Sequence, residues 1–369
     1  CPFCERIWAV LRAKQVPFTE TLVNLQDKPQ WYKDMVPTTL VPAVLLYGSD
    51  ETNERKLVWE SMDIMKLLDE EFPDSPKMLH ETDEFSEAME MNDALSRAGF
   101  AYIYSSRNTS LTEEDIEDRR VEFLKQLDLL DAALGKKEPA GPFILGDELT
   151  GIDVMMIPVI ERWRYQLPIT IGIDILEGRS NLKKWVDAME SHPALRDRVL
   201  GDEYSWTAVA STFLRIFGGN STQSVEGIGR ADEAAASLMG SFEDNSKAHD
   251  KIEYSIEAGS KLVSNHEAVV KDCTNAEPKS QKELPRASSV ETADVILRYV
   301  ASILLSGKES VLEEAEKAGL PDLDSSEEAA LVCKTVAARV CAPRDMSAPA
   351  AMLFRGVLSV VARRLGETA

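Results

Sequence analysis

The sequence predicts an α/β domain followed by two all-helical segments. Up to about residue 73, apolar residues alternate between helical spacing and short strand-like runs, whereas beyond residue 82 the helical period dominates. Pro73 to Pro76 provide a linker between these two parts, and the Gly- and Asn-containing run 218–221 marks a second boundary. We therefore expect three segments, 1–73, 82–217 and 221–369, and the role of the last one stays open.

The first segment is predicted in the order helix, strand, helix, hairpin, helix. The ranges are Glu5–Lys14 for the first helix, Phe18–Leu25 for a strand, Trp31–Met35 for a short helix, Val41–Tyr47 and Lys56–Trp59 for hairpin strands around a turn at 48–55, and Met62–Phe72 for the last helix. This order makes up most of a thioredoxin-like unit. The strand that would precede Cys1 in such a unit is missing.

The second and third segments read as amphipathic helices. Thr150 and Asp153 have the spacing of a capping box, in which side-chain oxygens satisfy backbone N–H groups at a helix start. The predicted helices are Phe85–Ser105, Thr112–Leu134, Val154–Tyr165 and Leu182–Glu190, then 225–242, 247–271, 289–305, 308–318, 325–341 and 348–365. We find no internal repeat and no catalytic motif beyond residue 220.

Composition excludes several classes of function. The 63 acidic and 41 basic side chains give a net charge of −22, which argues against nucleic acid and anionic membranes as partners. No apolar run reaches the roughly 20 residues of a membrane span. Five cysteines without a regular framework indicate a reducing compartment, the cytoplasm. Because the first residue is not methionine, we expect that an N-terminal segment has been lost, and an organellar address remains the alternative.

The first four residues, Cys1-Pro2-Phe3-Cys4, carry the strongest chemical signal. A thiol at a helix N-terminus lies at the positive end of the helix dipole, where its pKa can fall to roughly 3.5–7.5. Pro2 suits the first turn, which needs no N–H from it. A C-x-x-C pair before a helix predicts redox chemistry, although it could also be half of a zinc site. The other cysteines and the four histidines are scattered, so we expect no metal.

Residues 1–217 resemble the cytosolic glutathione transferases, most closely the omega class and its dehydroascorbate-reductase relatives. Several short stretches match in order and spacing, and together they are far more specific than any one of them. They are Cys1-Pro-Phe-Cys-Glu-Arg6, Asn24-Leu-Gln-Asp-Lys-Pro-Gln-Trp31, Leu40-Val-Pro-Ala-Val44, Trp59-Glu-Ser61, Thr150-Gly-Ile-Asp153, Glu161-Arg162 and Trp185-Val-Asp-Ala-Met-Glu190.

The resemblance implies a glutathione site with glutathione as co-substrate. Cys1 would be the nucleophile, and a cis Pro42 would leave the Val41 backbone to pair with the cysteinyl part of glutathione. The remaining implied contacts are Ser61 and Glu60 for the γ-glutamyl carboxylate and ammonium, Lys28 for the glycyl carboxylate, and Phe3 as a wall. Taken singly, each has a structural alternative: a strand end at Pro42, a helix cap at Glu60 and Ser61, a surface lysine at Lys28.

An acceptor pocket is implied between the two halves. By resemblance its candidate residues are Arg162, Trp206 and Phe213. The alternative assigns the two aromatic side chains to packing between helices and Arg162 to a surface salt bridge.

A cysteine nucleophile predicts thiol–disulfide exchange with small-molecule or glutathionylated-protein disulfides, since conjugating transferases use a Tyr or Ser hydroxyl. Cys4, where the omega class has no thiol, would either resolve the mixed disulfide or stay inert within the helix packing. Two rival functions remain: a conjugating transferase, and a non-catalytic transferase fold used for assembly. The resemblance also makes a homodimer a reasonable expectation.

Overall fold

The structure is a computed structural model that describes residues 1–25, 27–47, 55–108, 110–136, 141–218, 221–274 and 286–367. Residues 48–54 of the expected hairpin turn and 219–220 of the expected boundary run lie outside the described residues. The chain forms two compact units, the first of Cys1–Arg164 with Asp174–Val199 and the second of Tyr165–Ile173 with Leu200–Ala369. The division into three segments stays a prediction.

The first unit begins with the α/β elements. They are α1 (Pro2–Ala13), α2 (Gln30–Met35), β1 (Ala43–Tyr47), β2 (Arg55–Trp59) and α3 (Ser61–Glu71). Strands β1 and β2 are antiparallel, with Ala43 opposite Trp59 and Tyr47 opposite Arg55. The apolar faces of α1 and α3 pack against each other. The predicted helices and hairpin strands are confirmed, with ends that differ by a few residues at most.

The predicted strand Phe18–Leu25 is wrong. These residues form no regular secondary structure, and Phe18, Leu22 and Leu25 expose 43%, 57% and 55% of their surface. A strand exists only when its N–H and C=O groups join a ladder with a neighbour. The described sheet contains β1 and β2 alone and offers this segment no such neighbour. The alternation of apolar and polar residues in this segment therefore predicts a strand that does not form.

Four further helices complete the first unit: α4 (Asp83–Ile103), followed by a 3₁₀ turn (Ser105–Arg107), α5 (Glu113–Gly135), α6 (Gly151–Thr170) up to residue 164, and α7 (Ser180–Ser191). A close approach of α4 and α6 requires glycine at position 99, where a Cβ would lie 2.1 Å from a ring carbon of Trp163. The Trp163 ring also meets that of Phe123 edge to face. These aromatic rings form the centre of the helical part.

The second unit is all-helical. Its helices are α8 (Glu203–Phe217), α9 (Thr222–Met239), α10 (Phe242–Ser246) with a 3₁₀ turn (Lys247–His249), α11 (Ile252–Ser264), α12 (His266–Thr274), α13 (Val290–Leu304), α14 (Val311–Lys317), α15 (Ser326–Arg339) and α16 (Ala348–Glu367). Helix α16 is the central element, because it packs against α10, α11, α14 and α15. None of the helices in the described ranges has the length and apolarity needed to cross a bilayer.

The single helix predicted over 247–271 is wrong. The carboxylate of Asp250 accepts hydrogen bonds from the N–H of Val311 at 3.0 Å and of Leu312 at 3.3 Å, so this residue caps α14 instead of continuing a helix. A second interruption separates α11 from α12 at Asn265, whose side chain donates to the carbonyl of Lys261 at 2.9 Å. Side-chain bonds to the backbone of this kind compete with helical bonds.

Candidate active site

Cys1 is the N-cap residue of α1, and its side chain is exposed. Its sulfur lies 3.9 Å from the carbonyl oxygen of Val41, and the Val41–Pro42 peptide bond is cis, as the resemblance implies. The first N–H groups of a helix have no intrahelical acceptor and carry the positive end of its dipole. As the N-cap residue, Cys1 therefore lies at the end of α1 whose dipole favours an anion, at the entrance to β1.

The loop before β1 is held by Tyr32 of α2. Its hydroxyl donates to the carbonyl of Leu40 at 2.6 Å, and the side chain is only 5% exposed. Burial raises the pKa of Tyr32, and the nearby Cys4 raises it further, so the phenol also lies close to the second thiol. The next residue, Val41, donates its N–H to no other described residue. Its N–H thus remains available to an extended peptide.

Glu60 and Ser61 form the junction between β2 and α3. Glu60 has φ 73° and ψ 122°, a conformation that L residues adopt rarely, and its side chain is exposed. Ser61 is the first residue of α3 and is buried. Such backbone outliers cost on the order of 1–3 kcal/mol and cluster at binding sites. This helix start combines a buried hydroxyl, N–H groups that no capping side chain of the described residues satisfies, and an exposed carboxylate, a set that suits an α-amino acid group.

Phe3 and Lys28 occupy less constrained positions. Phe3 is 49% exposed, and the guanidinium of Arg6 lies 5.0 Å from the centre of its ring. Lys28 lies half-buried in the segment that precedes α2. Both side chains belong to the first unit, as do Cys1, Val41 and Ser61. Their roles in the site stay predictions.

Cys4 differs from Cys1 in its surroundings. It lies half-buried in the first turn of α1, where burial raises the pKa of its thiol and the neighbouring Glu5 raises it further. No disulfide joins the five cysteines, all of which lie in described parts of the chain. At neutral pH the half-buried Cys4 therefore remains a thiol, and the exposed Cys1 is the sulfur that a substrate reaches first.

Comparison with known proteins identifies the family. The glutathione S-transferase N-terminal domain matches residues 1–71, and the glutathione S-transferase C-terminal domain matches residues 113–188. Glutathione S-transferase L1 of Arabidopsis thaliana is 30% identical over 207 residues, which cover 55% of this chain and 80% of the relative. The chain belongs to the glutathione S-transferase family.

Two other proteins are similar to this chain. Glutathione S-transferase DHAR2 of Arabidopsis thaliana is 30% identical over 173 residues, 47% of this chain and 69% of its own length. Among solved structures, the dehydroascorbate reductase of Chlamydomonas reinhardtii is 21% identical with a TM-score of 0.44, covering 53% of this chain and 82% of its own.

The residues implied for the transferase's acceptor pocket lie in different units. Arg162 belongs to the first unit, and its side chain is only 12% exposed. In the second unit, Trp206 is buried and its carbonyl accepts a hydrogen bond from the side chain of Gln166 at 3.1 Å. Phe213, 37% exposed, stacks on Phe217 with ring centres 5.9 Å apart. An acceptor role for these three residues stays a prediction.

The sequence alone predicts no individual role for Glu5, Arg6 or Tyr32. Charged residues in the first turn of a helix, such as Glu5 and Arg6, are usually exposed to solvent. Here they are only 2% and 9% exposed. Their partners lie about 150 residues away on α6, and no local pattern could have disclosed them. Across the residues that the structure describes, no group of three or more potential ligand side chains could hold a metal ion.

Proposed function

We propose that this glutathione transferase is a glutathione-dependent thiol–disulfide oxidoreductase, a thioltransferase or dehydroascorbate reductase, that works through a mixed disulfide between Cys1 and glutathione. One observation carries the proposal: an exposed cysteine sulfur at the start of α1, 3.9 Å from the carbonyl oxygen of Val41. A hydroxyl at this place could only hydrogen-bond the glutathione thiolate, whereas a thiolate attacks a disulfide.

The reaction takes two exchanges. The Cys1 thiolate attacks the glutathione sulfur of a glutathionylated substrate, the Cys1–glutathione bond forms, and the substrate leaves as a thiolate that takes up a proton. The thiolate of a second glutathione then attacks the glutathione sulfur of this mixed disulfide, which releases oxidised glutathione and restores the Cys1 thiolate. The substrate disulfide is reduced by two electrons, and two glutathione sulfurs end as one disulfide.

In this proposal the tripeptide lies along the edge formed by the loop before β1 and the start of α3. The N–H and C=O of Val41 pair with its cysteinyl backbone, as an added strand would. Ser61 binds the γ-glutamyl carboxylate at the start of α3, and the exposed Glu60 binds the ammonium group. Lys28 meets the glycyl carboxylate, and Phe3 closes the site toward the acceptor.

The test compares Cys1→Ser with Cys4→Ser in the full chain, using a glutathionylated peptide as substrate. We expect Cys1→Ser to abolish reduction and Cys4→Ser to retain most of it. Undiminished reduction by Cys1→Ser would contradict the proposal. So would a parent protein that conjugates glutathione to 1-chloro-2,4-dinitrobenzene but reduces no disulfide. A parent protein that immobilised glutathione does not retain would instead favour the assembly role.

A further inference from the structure

A buried ion pair joins the thiol-bearing helix to α6. Glu5, in the first turn of α1, is 2% exposed, and its Oε2 accepts a hydrogen bond from Nη2 of Arg162 at 2.8 Å. The Arg162 side chain is 12% exposed and also donates to the carbonyl of Pro158. The other carboxylate oxygen of Glu5, Oε1, is buried and has no hydrogen-bond partner among the described residues.

Burying this ion pair costs more free energy than filling the same space with apolar side chains would. Removing a carboxylate and a guanidinium from water costs several kcal/mol per ion, and apolar residues of similar volume often replace such pairs without loss. A carboxylate with one unsatisfied oxygen is costlier still. Glu5 follows Cys4 directly and lies one helical turn after Cys1, since its N–H donates to the carbonyl of Cys1 at 3.2 Å, and residues four apart are neighbours on a helix surface.

The charge of Glu5 opposes ionisation of its neighbours. A like charge nearby disfavours a second anion, and Glu5 already contributes to the raised pKa of Cys4. Other groups also face this turn. They are the α-amine of Cys1, whose charge lowers the pKa of Cys4, Arg6, whose Nε donates to the carbonyl of Met155 at 3.1 Å, Asp93 of α4, which interacts with Arg6, and Tyr32 of α2, which lies near Cys4. Among the cations that the structure describes, Arg162 bonds the Glu5 carboxylate directly.

We infer that Arg162 is a positioning residue that acts on Cys1 through Glu5, cancelling the buried negative charge so that the Cys1 sulfur stays ionised at neutral pH. This role rests on the proposed function only in taking Cys1 as the nucleophile. It differs from the acceptor-pocket role that the family resemblance implies for the same side chain. It also explains why a guanidinium is directed at the helix that carries the thiol.

The test measures ionisation rather than turnover. Cys1 of the full chain is alkylated with iodoacetamide from pH 4 to 10, and mass spectrometry of the peptide that contains Cys1 gives the pH midpoint of its reaction. We expect Arg162→Met to raise the pH midpoint by about one unit, which leaves roughly tenfold less Cys1 thiolate at any pH below the midpoint. Glu5→Gln should lower the midpoint. The midpoint of the double variant Glu5→Gln/Arg162→Met should lie close to that of the parent protein. Arg162→Lys should keep the parent midpoint.

Arg164→Met is the matched control, because Arg164 lies one residue beyond Trp163 on the same helix but pairs with Glu190. It should leave the midpoint unchanged. Shifts of the same sign in the two single variants, or none, would overturn the inference, because a merely structural pair produces no opposed shifts. If Arg162→Met does not fold, Glu5→Gln should still lower the midpoint while Arg162→Lys leaves it unchanged, and an unshifted midpoint in Glu5→Gln overturns the inference. A failed proposed function appears instead as undiminished reduction by Cys1→Ser.

Discussion

The indole Nε1 of Trp185 donates a hydrogen bond of 2.8 Å to Oδ1 of Asp153, and both side chains are almost completely buried. The same carboxylate accepts from the N–H of Ile144 at 2.7 Å and from the N–H and hydroxyl of Thr150 at 3.0 and 2.9 Å. One carboxylate thus holds the start of α6, the preceding loop and α7. The Asp153 part of the predicted helix cap is confirmed, since its carboxylate accepts from the N–H of Thr150, whereas the Thr150 hydroxyl donates to that carboxylate.

Replacing Asp153 by Ala should destabilise the first unit by about 3–5 kcal/mol, because it strands several buried donors at once. Asp153→Asn, which keeps one acceptor oxygen, should lose less. The measurement is the free energy of unfolding from denaturant titration. Asp147→Ala, a change of an exposed carboxylate, is the control and should cost less than about 0.5 kcal/mol. A loss at Asp153 as small as the control's would contradict this account.

The second unit contains a comparable buried charge. Arg355 of α16 is 1% exposed, and it donates to Oδ2 of Asp202 at 3.0 Å, to the hydroxyl of Ser205 at 2.8 Å and to the carbonyl of Val340 at 2.7 Å. Its guanidinium carbon lies 4.6 Å from the ring centre of Tyr204. The start of α8 and the end of α15 are thereby tied to the central helix.

Asp202→Ala should destabilise this unit by about 3–5 kcal/mol, because Arg355 keeps its charge and loses its counter-ion. The free energy of unfolding, followed by circular dichroism, measures the loss. Arg298→Met breaks an exposed pair within one helix, with Arg298 69% exposed, and should cost less than about 1 kcal/mol. Equal effects of the two variants would show that the buried pair contributes no more than an exposed one.

Cys1 should react with an alkylating reagent before the other four thiols do. Burial raises the pKa of Cys273 and Cys333 to about 12, and burial also raises the pKa of Cys4 and Cys341. A raised pKa means less thiolate at neutral pH, so these four should alkylate slowly at pH 7 and faster as the pH rises.

Peptide-resolved alkylation of the native protein at pH 7 tests this order. Cys1 should be modified first, and unfolding in guanidinium should make all five react at similar rates. Faster reaction of Cys273 or Cys333 than of Cys1 in the native state would refute the prediction.

Ser61→Ala should weaken glutathione binding by about 10- to 150-fold, because a hydrogen bond to a charged carboxylate contributes roughly 1.5–3 kcal/mol. Isothermal titration calorimetry of the reduced protein measures the dissociation constant. Ser75→Ala provides the matched control, since the Ser75 hydroxyl bonds the carbonyl of Phe72 just after α3. If the two variants bind glutathione with the same affinity, Ser61 has no part in the site.

Local chemistry in the sequence predicted most helices and the hairpin, because their apolar spacing and caps are local properties. The strand at Phe18–Leu25 failed for the opposite reason, since a strand depends on a neighbour that its own residues do not specify. Asp250 interrupts the predicted helix 247–271 through a carboxylate whose partners lie on α14, which only the tertiary structure discloses. Asn265 interrupts it through a local bond to the carbonyl of Lys261.

The candidate site divides in the same way. Cys1 at a helix start was predictable from four adjacent residues, and the approach of Val41 followed from the family resemblance. The pairing of Glu5 with Arg162 spans 157 positions and could not be predicted from periodicity. From sequence alone, charged side chains are predicted to be solvent-exposed, because their distant partners are unknown.

Mass spectrometry after exposure to oxidised glutathione tests the central claim most directly. The account predicts one glutathione adduct, on the peptide that contains Cys1 and Cys4, that Cys1→Ser abolishes and Cys4→Ser preserves. An adduct that survives in Cys1→Ser, or a protein that takes up no glutathione at all, would contradict it.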